Sequence, residues 1–267
     1  MSSRPETKSV FGANYASVYD ALYLEKNYKL ECDVFETSVE ISGSPSGVLD
    51  VGCGTGGHSI ELTKRGHNVT GVDMSQDMIN IAKSKSGSQL ADRQQPQFIC
   101  GSAAEFDIET KNFDAAVMMF AVLGYMRSND DVIAALRNIN RHLKTGGKFM
   151  CDFWWGPAVL TQRPGERVRI VEGATGKTVR ATRTSLETSV NLAHVHFDIL
   201  QAEAAGQLGQ SSETHTMRYF FGPELQLLFQ QAGFEILKQS QFPDTSKALD
   251  DTSWNAMIVA RKTNGTD

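Results

Sequence analysis

Val48-Leu49-Asp50-Val51-Gly52-Cys53-Gly54-Thr55-Gly56-Gly57-His58-Ser59 runs from an apolar stretch ending in Asp50 into glycines at positions 52, 54, 56 and 57. The pattern predicts a buried strand feeding a tight loop that opens a helix. Glycine is needed where the backbone takes a left-handed turn or must touch a ligand closely. Such a loop presents backbone N–H groups and a helix N-terminus to whatever lies above the strand. A nucleotide-type cofactor is therefore the expected occupant.

Working outward, residues 45–152 alternate strand-like and helix-like segments. Strands are expected at Gly47–Val51, Asn68–Val72, Gln97–Cys100, Asp114–Phe120 and Lys148–Phe153. Helices are expected at Gly56–Lys64, Ser75–Lys83 and Asp130–Leu143, with Ser75 and Asn129 as N-caps. This βαβ rhythm argues for an open doubly wound sheet, which binds ligands beyond the carboxyl ends of its strands. From 156 to 221 the rhythm changes to alternating apolar and polar residues, read as half-buried antiparallel strands. Gly222-Pro223 then starts a helix to Ala232, and strands Glu235–Gln239 and Asn255–Arg261 follow. The chain thus divides into a cofactor domain, 1–155 plus 222–267, and an antiparallel insertion at 156–221 that would take the acceptor. Tyr15–Thr37 reads as helical, part of an N-terminal lid over about residues 10–40.

The 267 residues carry a net charge of −5, which speaks against general nucleic-acid binding. No apolar run has the length of a membrane span, and the first residues lack a signal-peptide core. Cys32, Cys53, Cys100 and Cys151 are widely spaced and read as reduced thiols of a cytoplasmic protein. No metal is expected. The oligomeric state stays open, a dimer included.

Gly52-x-Gly54-x-x-Gly57 formally fits a dinucleotide fingerprint, so the loop alone leaves an NAD-dependent oxidoreductase open. The same stretch also reads Asp50-x-Gly52-x-Gly54-x-Gly56. Asp73 closes the second strand within VTGVDMSQDMI, and FDAAVMMFAVLGY (Phe113–Tyr125) and LKTGGKF (Leu143–Phe149) follow. In this order, and with the terminal pair of strands, these motifs resemble class I S-adenosylmethionine-dependent methyltransferases over nearly the whole chain. The resemblance implies an α/β fold: a Rossmann-like doubly wound sheet of seven strands with an antiparallel β insertion after strand five. It implies S-adenosyl-L-methionine as cofactor. Gly52, Cys53, Gly54 and Met119 would surround it, and Asp50 would lie near its ammonium. Asp73 would take the ribose hydroxyls, and Met74 and Met78 would flank the adenine. Ser102 stands where the family often has an acidic residue for the adenine amino group, so its hydroxyl or the N–H of Ala103 would read that edge. The plainer alternatives are a loop-bracing Asp50, a helix-capping Asp73 and a core Met78.

For the acceptor, Tyr19-Asp20-Ala21-Leu22-Tyr23 with Lys26-Asn27-Tyr28 resembles the N-terminal segment of small-molecule methyltransferases. Among these are the N,N-dimethyltransferases of nucleotide-linked amino sugars. By that resemblance Tyr23 and Tyr28 belong at the cofactor, and Tyr15 and Tyr19 at the acceptor. Trp154 and Trp155 follow a strand end, where adjacent side chains diverge. With His194 and Arg218 they complete the candidate acceptor-binding set. Methyl transfer is an in-line displacement in which the protein aligns the acceptor lone pair and excludes water. An amine acceptor must also lose a proton, for which Tyr125, His196 and Tyr23 are the candidate catalytic groups. Arg163, Arg167, Arg169, Lys177, Arg180 and Arg183 would suit a phosphate-bearing acceptor or simply a solvated face. No Pro-Pro-aromatic tetrad follows strand four, which weighs against DNA base methylation. The expected function is transfer to a small-molecule amine. An O-methyltransferase and a non-catalytic cofactor-binding module are the alternatives.

Overall fold

A computed structural model of the chain describes residues 19–43, 45–91, 94–109, 112–173, 176–203 and 208–263. The strands are β1 (Gly47–Val51), β2 (Asn68–Asp73), β3 (Gln97–Cys100), β4 (Phe113–Met118), β5 (Leu143–Trp154), β6 (Arg167–Gly173), β7 (Gly176–Glu187), β8 (Leu192–Glu203), β9 (Leu208–Arg218), β10 (Phe234–Gln241) and β11 (Asn255–Lys262). The helices are α1 (Tyr28–Val39), α2 (Gly57–Lys64), α3 (Gln76–Gln89), α4 (Asn129–His142), α5 (Gly156–Gln162) and α6 (Gly222–Gln231). A 3-10 turn spans Val122–Tyr125.

The main sheet has the order β10-β11-β5-β4-β1-β2-β3. Its pairs are parallel except those of β11 with β5 and β10. Side chains on successive strand residues point to opposite faces. Leu49, Val51, Ala116, Met118, Phe149 and Cys151 pack under α4 and α6. Val48, Ala115, Val117 and Met150 pack under α1 and α2. Both faces are thus covered, the doubly wound arrangement expected. β6 to β9 form a separate antiparallel sheet in sequence order, inserted after β5. One of its faces joins the body through Val195, Phe197 and Ile199, which pack with Leu22 of the N-terminal segment and Met78 of α3.

Three local expectations are corrected. The N-terminal helix is not continuous: residues 19–22 are helical, 23–25 turn, and α1 restarts with the Asn27 side chain accepting the Leu30 N–H at 3.0 Å. The cap of α4 is Ser128, not Asn129. The Ser128 hydroxyl accepts the Asp131 N–H while the Asp131 carboxylate accepts the Ser128 N–H, a reciprocal capping box. The insertion opens with a short helix, α5, rather than a strand, because Pro157 sits in its first turn where a missing N–H costs nothing. No helix among the described residues is long and apolar enough to cross a membrane.

Candidate active site

The glycine loop leaves β1 through backbone that L-residues avoid. Gly52, Gly54 and Gly56 have φ of +75°, +53° and +78°. The Gly52 and Cys53 N–H groups both donate to the Val72 carbonyl, at 2.7 and 3.0 Å, binding the loop to the end of β2. Asp73, the last residue of β2, accepts the Gly54 N–H at 2.9 Å on one oxygen and the Ser75 N–H at 2.8 Å on the other. Ser75 itself caps α3 by accepting the Met78 N–H. Asp50 is buried and accepts the Ser59 hydroxyl at 2.6 Å, which ties β1 to α2. Burial pushes both the Asp50 and Asp73 carboxyls above their ordinary range. Above Gly54 the space is open, since a Cβ there would meet nothing within 4 Å.

The N-terminal segment crosses this loop. Asp20 accepts the Thr55 hydroxyl at 2.6 Å and the Lys85 ammonium at 2.8 Å. The Tyr28 ring lies so close to Gly57 that a Cβ there would stand 2.3 Å from it. Tyr19 and Tyr23 pack ring to ring at 4.8 Å, and Tyr23 meets Phe120 edge-on at 4.9 Å. Lys26 stands over the Phe120 ring at 4.2 Å and pairs with Glu31, which also binds buried His58 at 2.6 Å. Phe120 and Ala121, just past β4, have φ of +72° and +55°. Asp152 holds that turn by accepting the Ala121 N–H at 3.0 Å. On the insertion side, Arg180 donates to the Tyr23 hydroxyl at 2.9 Å and lies over the Tyr23 and Phe197 rings. Tyr125 bonds His215 at 2.7 Å, and His215 bonds Glu213 at 3.1 Å.

The result is a cleft at the carboxyl ends of β1, β2, β4 and β5. Its floor is a glycine cradle flanked by buried carboxylates, and its walls are aromatic. These groups suit a cofactor with a cationic amino-acid end and a ribose: carboxylates meet the cation and the hydroxyls, and ring faces meet positive charge. The profile of a family described as a methyltransferase domain matches residues 48–147. The dTDP-3-amino-3,4,6-trideoxy-alpha-D-glucopyranose N,N-dimethyltransferase of Streptomyces venezuelae is 29% identical over 231 residues, covering 85% of this chain and 92% of that protein. A sugar N-methyltransferase from Streptoalloteichus superposes with TM-score 0.77 at 23% identity, over 99% of this chain and 100% of that one. An amino pentose methyltransferase from Micromonospora echinaspora, solved with S-adenosylmethionine bound, gives TM-score 0.71 at 21% identity over 97% and 100%. Residues 48–147 form a methyltransferase domain.

Within this methyltransferase the expected cofactor residues Gly52, Gly54, Asp73, Tyr23 and Tyr28 gather around the loop. Asp50 lies beneath it, in the bracing position that was the plainer alternative. Met74 is 69% exposed, next to Asp73, whereas Met78 is a core residue packed with Leu22 and Val195. Met119 and Cys53 are also buried, in separate apolar clusters. Ser102 is exposed after β3, its hydroxyl accepting the Ala104 N–H. Ala103 is half-buried, and its carbonyl accepts from Asn138. Tyr15 lies outside the described residues. Trp154 packs toward the Tyr19–Tyr23 side and meets Trp254 at 5.7 Å, while Trp155 turns to the main core, so the two diverge as expected.

His194 and His196 are corrected. They share a strand face, but it is the one turned away from the cleft: its partners are Glu187, Thr216, Thr214 and Asp198. The intervening Val195 and Phe197 face inward. Arg218 is also corrected from acceptor binding to anchoring. Its guanidinium is buried and bonds Glu224 and Asn129, both at 2.8 Å. Sequence reasoning missed His215, Glu213, Phe120 and Asp152. The first two stand in the stretch ETHTMR, whose alternation was legible, but nothing in it told which parity faced the cleft. Among the described residues no cluster of His, Cys, Asp or Glu could hold a metal ion.

Asp152 gives a pH-dependent prediction. Burial pushes its carboxyl up to about 6. The native state therefore holds an extra proton between the ordinary carboxylate range and about pH 6, and stability falls as pH rises through that window. Asp152→Asn keeps an oxygen for the Ala121 N–H and cannot ionise. It should stabilise the fold at pH 7–8 by up to about 3 kcal/mol and leave it unchanged near pH 4. Urea midpoints at both pH values measure this; an equal gain at both would refute the burial argument.

Proposed function

We propose that this methyltransferase acts on the amine nitrogen of an amino sugar carried on a nucleotide. The observation that carries the reading is the Arg180–Tyr23 junction. A guanidinium on the inner face of the insertion lies over two aromatic rings and bonds the Tyr23 hydroxyl of the N-terminal segment. A planar cation in an aromatic setting suits an acceptor with both a ring system and negative charge. The similarity to the Streptomyces venezuelae enzyme, which covers 85% of this chain and 92% of that protein, supports the same acceptor class. The four free thiols among the described residues accord with a cytoplasmic location.

Bound S-adenosylmethionine supplies an electrophilic methyl carbon. The chain's own residues do the rest. Asp73, beside the glycine loop, would hold the nucleoside end, and the buried Asp50 and Asp152 would offset positive charge. Tyr19, Tyr23 and Phe120 exclude water from the reacting atoms, which raises the effective concentration of the acceptor nitrogen. Tyr125, at the end of the 3-10 turn, offers its hydroxyl to the acceptor.

The test has two parts. Titration calorimetry should give cofactor binding to the wild type, with Asp73→Ala weaker by about 1–3 kcal/mol, the loss of charged hydrogen bonds. Incubation with dTDP-3-amino-3,4,6-trideoxyglucose, the sugar class of the Streptomyces venezuelae relative, should add methyl groups detectable by mass. Cofactor binding without methylation of any amino sugar, alongside turnover of a hydroxyl acceptor, would replace this reading with O-methylation.

A further inference from the structure

The outer face of the inserted sheet, turned away from the cleft, changes character along its length. The antiparallel register sets Ile170, Val179, Leu200 and Gln210 side by side across the four strands, with Val168, Ala181, Asp198 and Ser212 in the next row. On the other side of the first row, Leu208 stands opposite Ala202. Side chains alternate along each strand. Val171, Arg180 and Ile199 face the body of the protein, so their strand neighbours face outward. Val168, Ile170, Leu200 and Leu208 are 68%, 58%, 47% and 82% exposed. Among the described residues, none of these four joins a buried apolar cluster. Contiguous apolar surface of this kind marks an interaction site rather than a solvated face. The rest of the face is polar, and its charges are paired within it. Lys177 meets Glu172 at 2.8 Å, Arg183 meets Asp198 at 3.0 Å, and His194 meets Glu187 at 3.3 Å.

We propose that this face pairs with the same face of a second copy of the chain across a two-fold axis. Its size fits that occupant. Outward residues lie about 6.6 Å apart along a strand and strands lie about 4.8 Å apart, so each outward residue covers about 30 Å². With about twenty of them the face offers about 600 Å² per copy, and a pair would bury about 1,200 Å². A specific interface needs about 1,000 Å². Its pattern fits as well. A two-fold axis through the apolar rows lays strip against strip, with apolar side chains interdigitating between the two sheets. The polar rows around His194 and His196 then form the rim. A partner carrying charge of one sign would find no match here, because the cations and anions of the face already neutralise one another. The cleft lies against the opposite face, so pairing leaves it open while stiffening the strands that carry Arg180.

Sedimentation velocity of the full chain should show a monomer–dimer equilibrium with a Kd of about 10 μM or tighter, the range of interfaces this size. Ile170→Asp and Leu200→Lys should each raise that Kd by roughly 100-fold or more, because the axis brings each new charge into the apolar contact twice. Both positions are exposed and far from the glycine loop, so cofactor affinity by calorimetry and the melting temperature of the monomer should match the wild type. Leu237→Asp, at an exposed leucine of β10, should leave the dimer unchanged. Hydroxyl-radical footprinting of the wild type needs no variant: Ile170, Leu200 and Leu208 should lose reactivity as concentration rises through the Kd. A wild type that stays monomeric up to ten times the expected Kd would overturn the proposal and give the face to a different partner protein. A dimer that survives both charged substitutions, that Leu237→Asp breaks instead, or that forms with no change in the footprint would overturn it by placing the interface elsewhere.

Discussion

Gly52→Ala should destabilise the protein by about 2–5 kcal/mol and remove most cofactor binding with it. Two independent effects add. At φ +75° an alanine sits in the left-handed region, which costs roughly 1–2 kcal/mol for a residue with a Cβ. The added Cβ would also lie 2.5 and 2.7 Å from the two methyls of Val122 and 3.1 Å from its β-carbon. Because both branches and the branch point are too close, no rotation of Val122 relieves the contact. The 3-10 turn carrying Tyr125 must then move, or the loop must give up its bonds to Val72. Gly54→Ala is the informative contrast. Its φ is also positive, at +53°, but its Cβ would point into open space. It should cost about 1 kcal/mol of stability and act mainly on cofactor affinity. Denaturation midpoints and calorimetric titration of the two variants separate the effects. If Gly54→Ala proved the more destabilising, the packing argument at Val122 would fall.

The same glycine stretch shows what a sequence can carry. Strand β1 and the glycine turn were legible because each depends on local chemistry: an apolar run buried on both faces, and turns that a Cβ would strain. Asp73 was legible because it follows an apolar strand and precedes a serine cap. The doubly wound sheet of seven strands followed from the βαβ rhythm and the family motifs together. The acceptor side was far less legible. In a half-buried antiparallel strand a shift of one residue exchanges the two faces. The stretch HVHFDI admits either face, and only the packing of Val195 and Phe197 on Leu22 decides it. His194 and His196 were therefore assigned to the cleft when His215, opposite Val195, is the histidine that reaches it. Asp152 was hidden for a related reason. Within an apolar strand an aspartate carries no periodic signal, and its partner, the Ala121 N–H, is exposed only because Phe120 and Ala121 take left-handed backbone. The helix break before Tyr28 was likewise hidden in a segment whose tyrosine spacing suits a helix throughout.

Glu224→Ala should cost about 3–5 kcal/mol, well above the cost of Arg218→Met at the other end of the same ion pair. Arg218 ends β9 with its side chain 8% exposed, and Glu224 starts α6 with 25% exposed. Removing Glu224 leaves a guanidinium buried against the Phe220 ring with Asn129 as its remaining side-chain acceptor. It also removes the carboxylate oxygen that accepts the Phe221 N–H at 2.9 Å, uncapping α6. Removing Arg218 instead takes the buried charge away and leaves Glu224 with access to water and its capping bond intact. A methionine can refill the space over Phe220 without a charge to solvate, so the cost should stay under about 2 kcal/mol. The asymmetry bears on function because Arg218 fastens the last strand of the insertion to α4 and α6, and the insertion carries both Arg180 and His215. Arg218→Met should therefore fold and keep its KM for the amino-sugar acceptor within a few-fold. A folded Arg218→Met enzyme that binds cofactor but has lost acceptor affinity would return Arg218 to the acceptor site and require a different arrangement of the cleft.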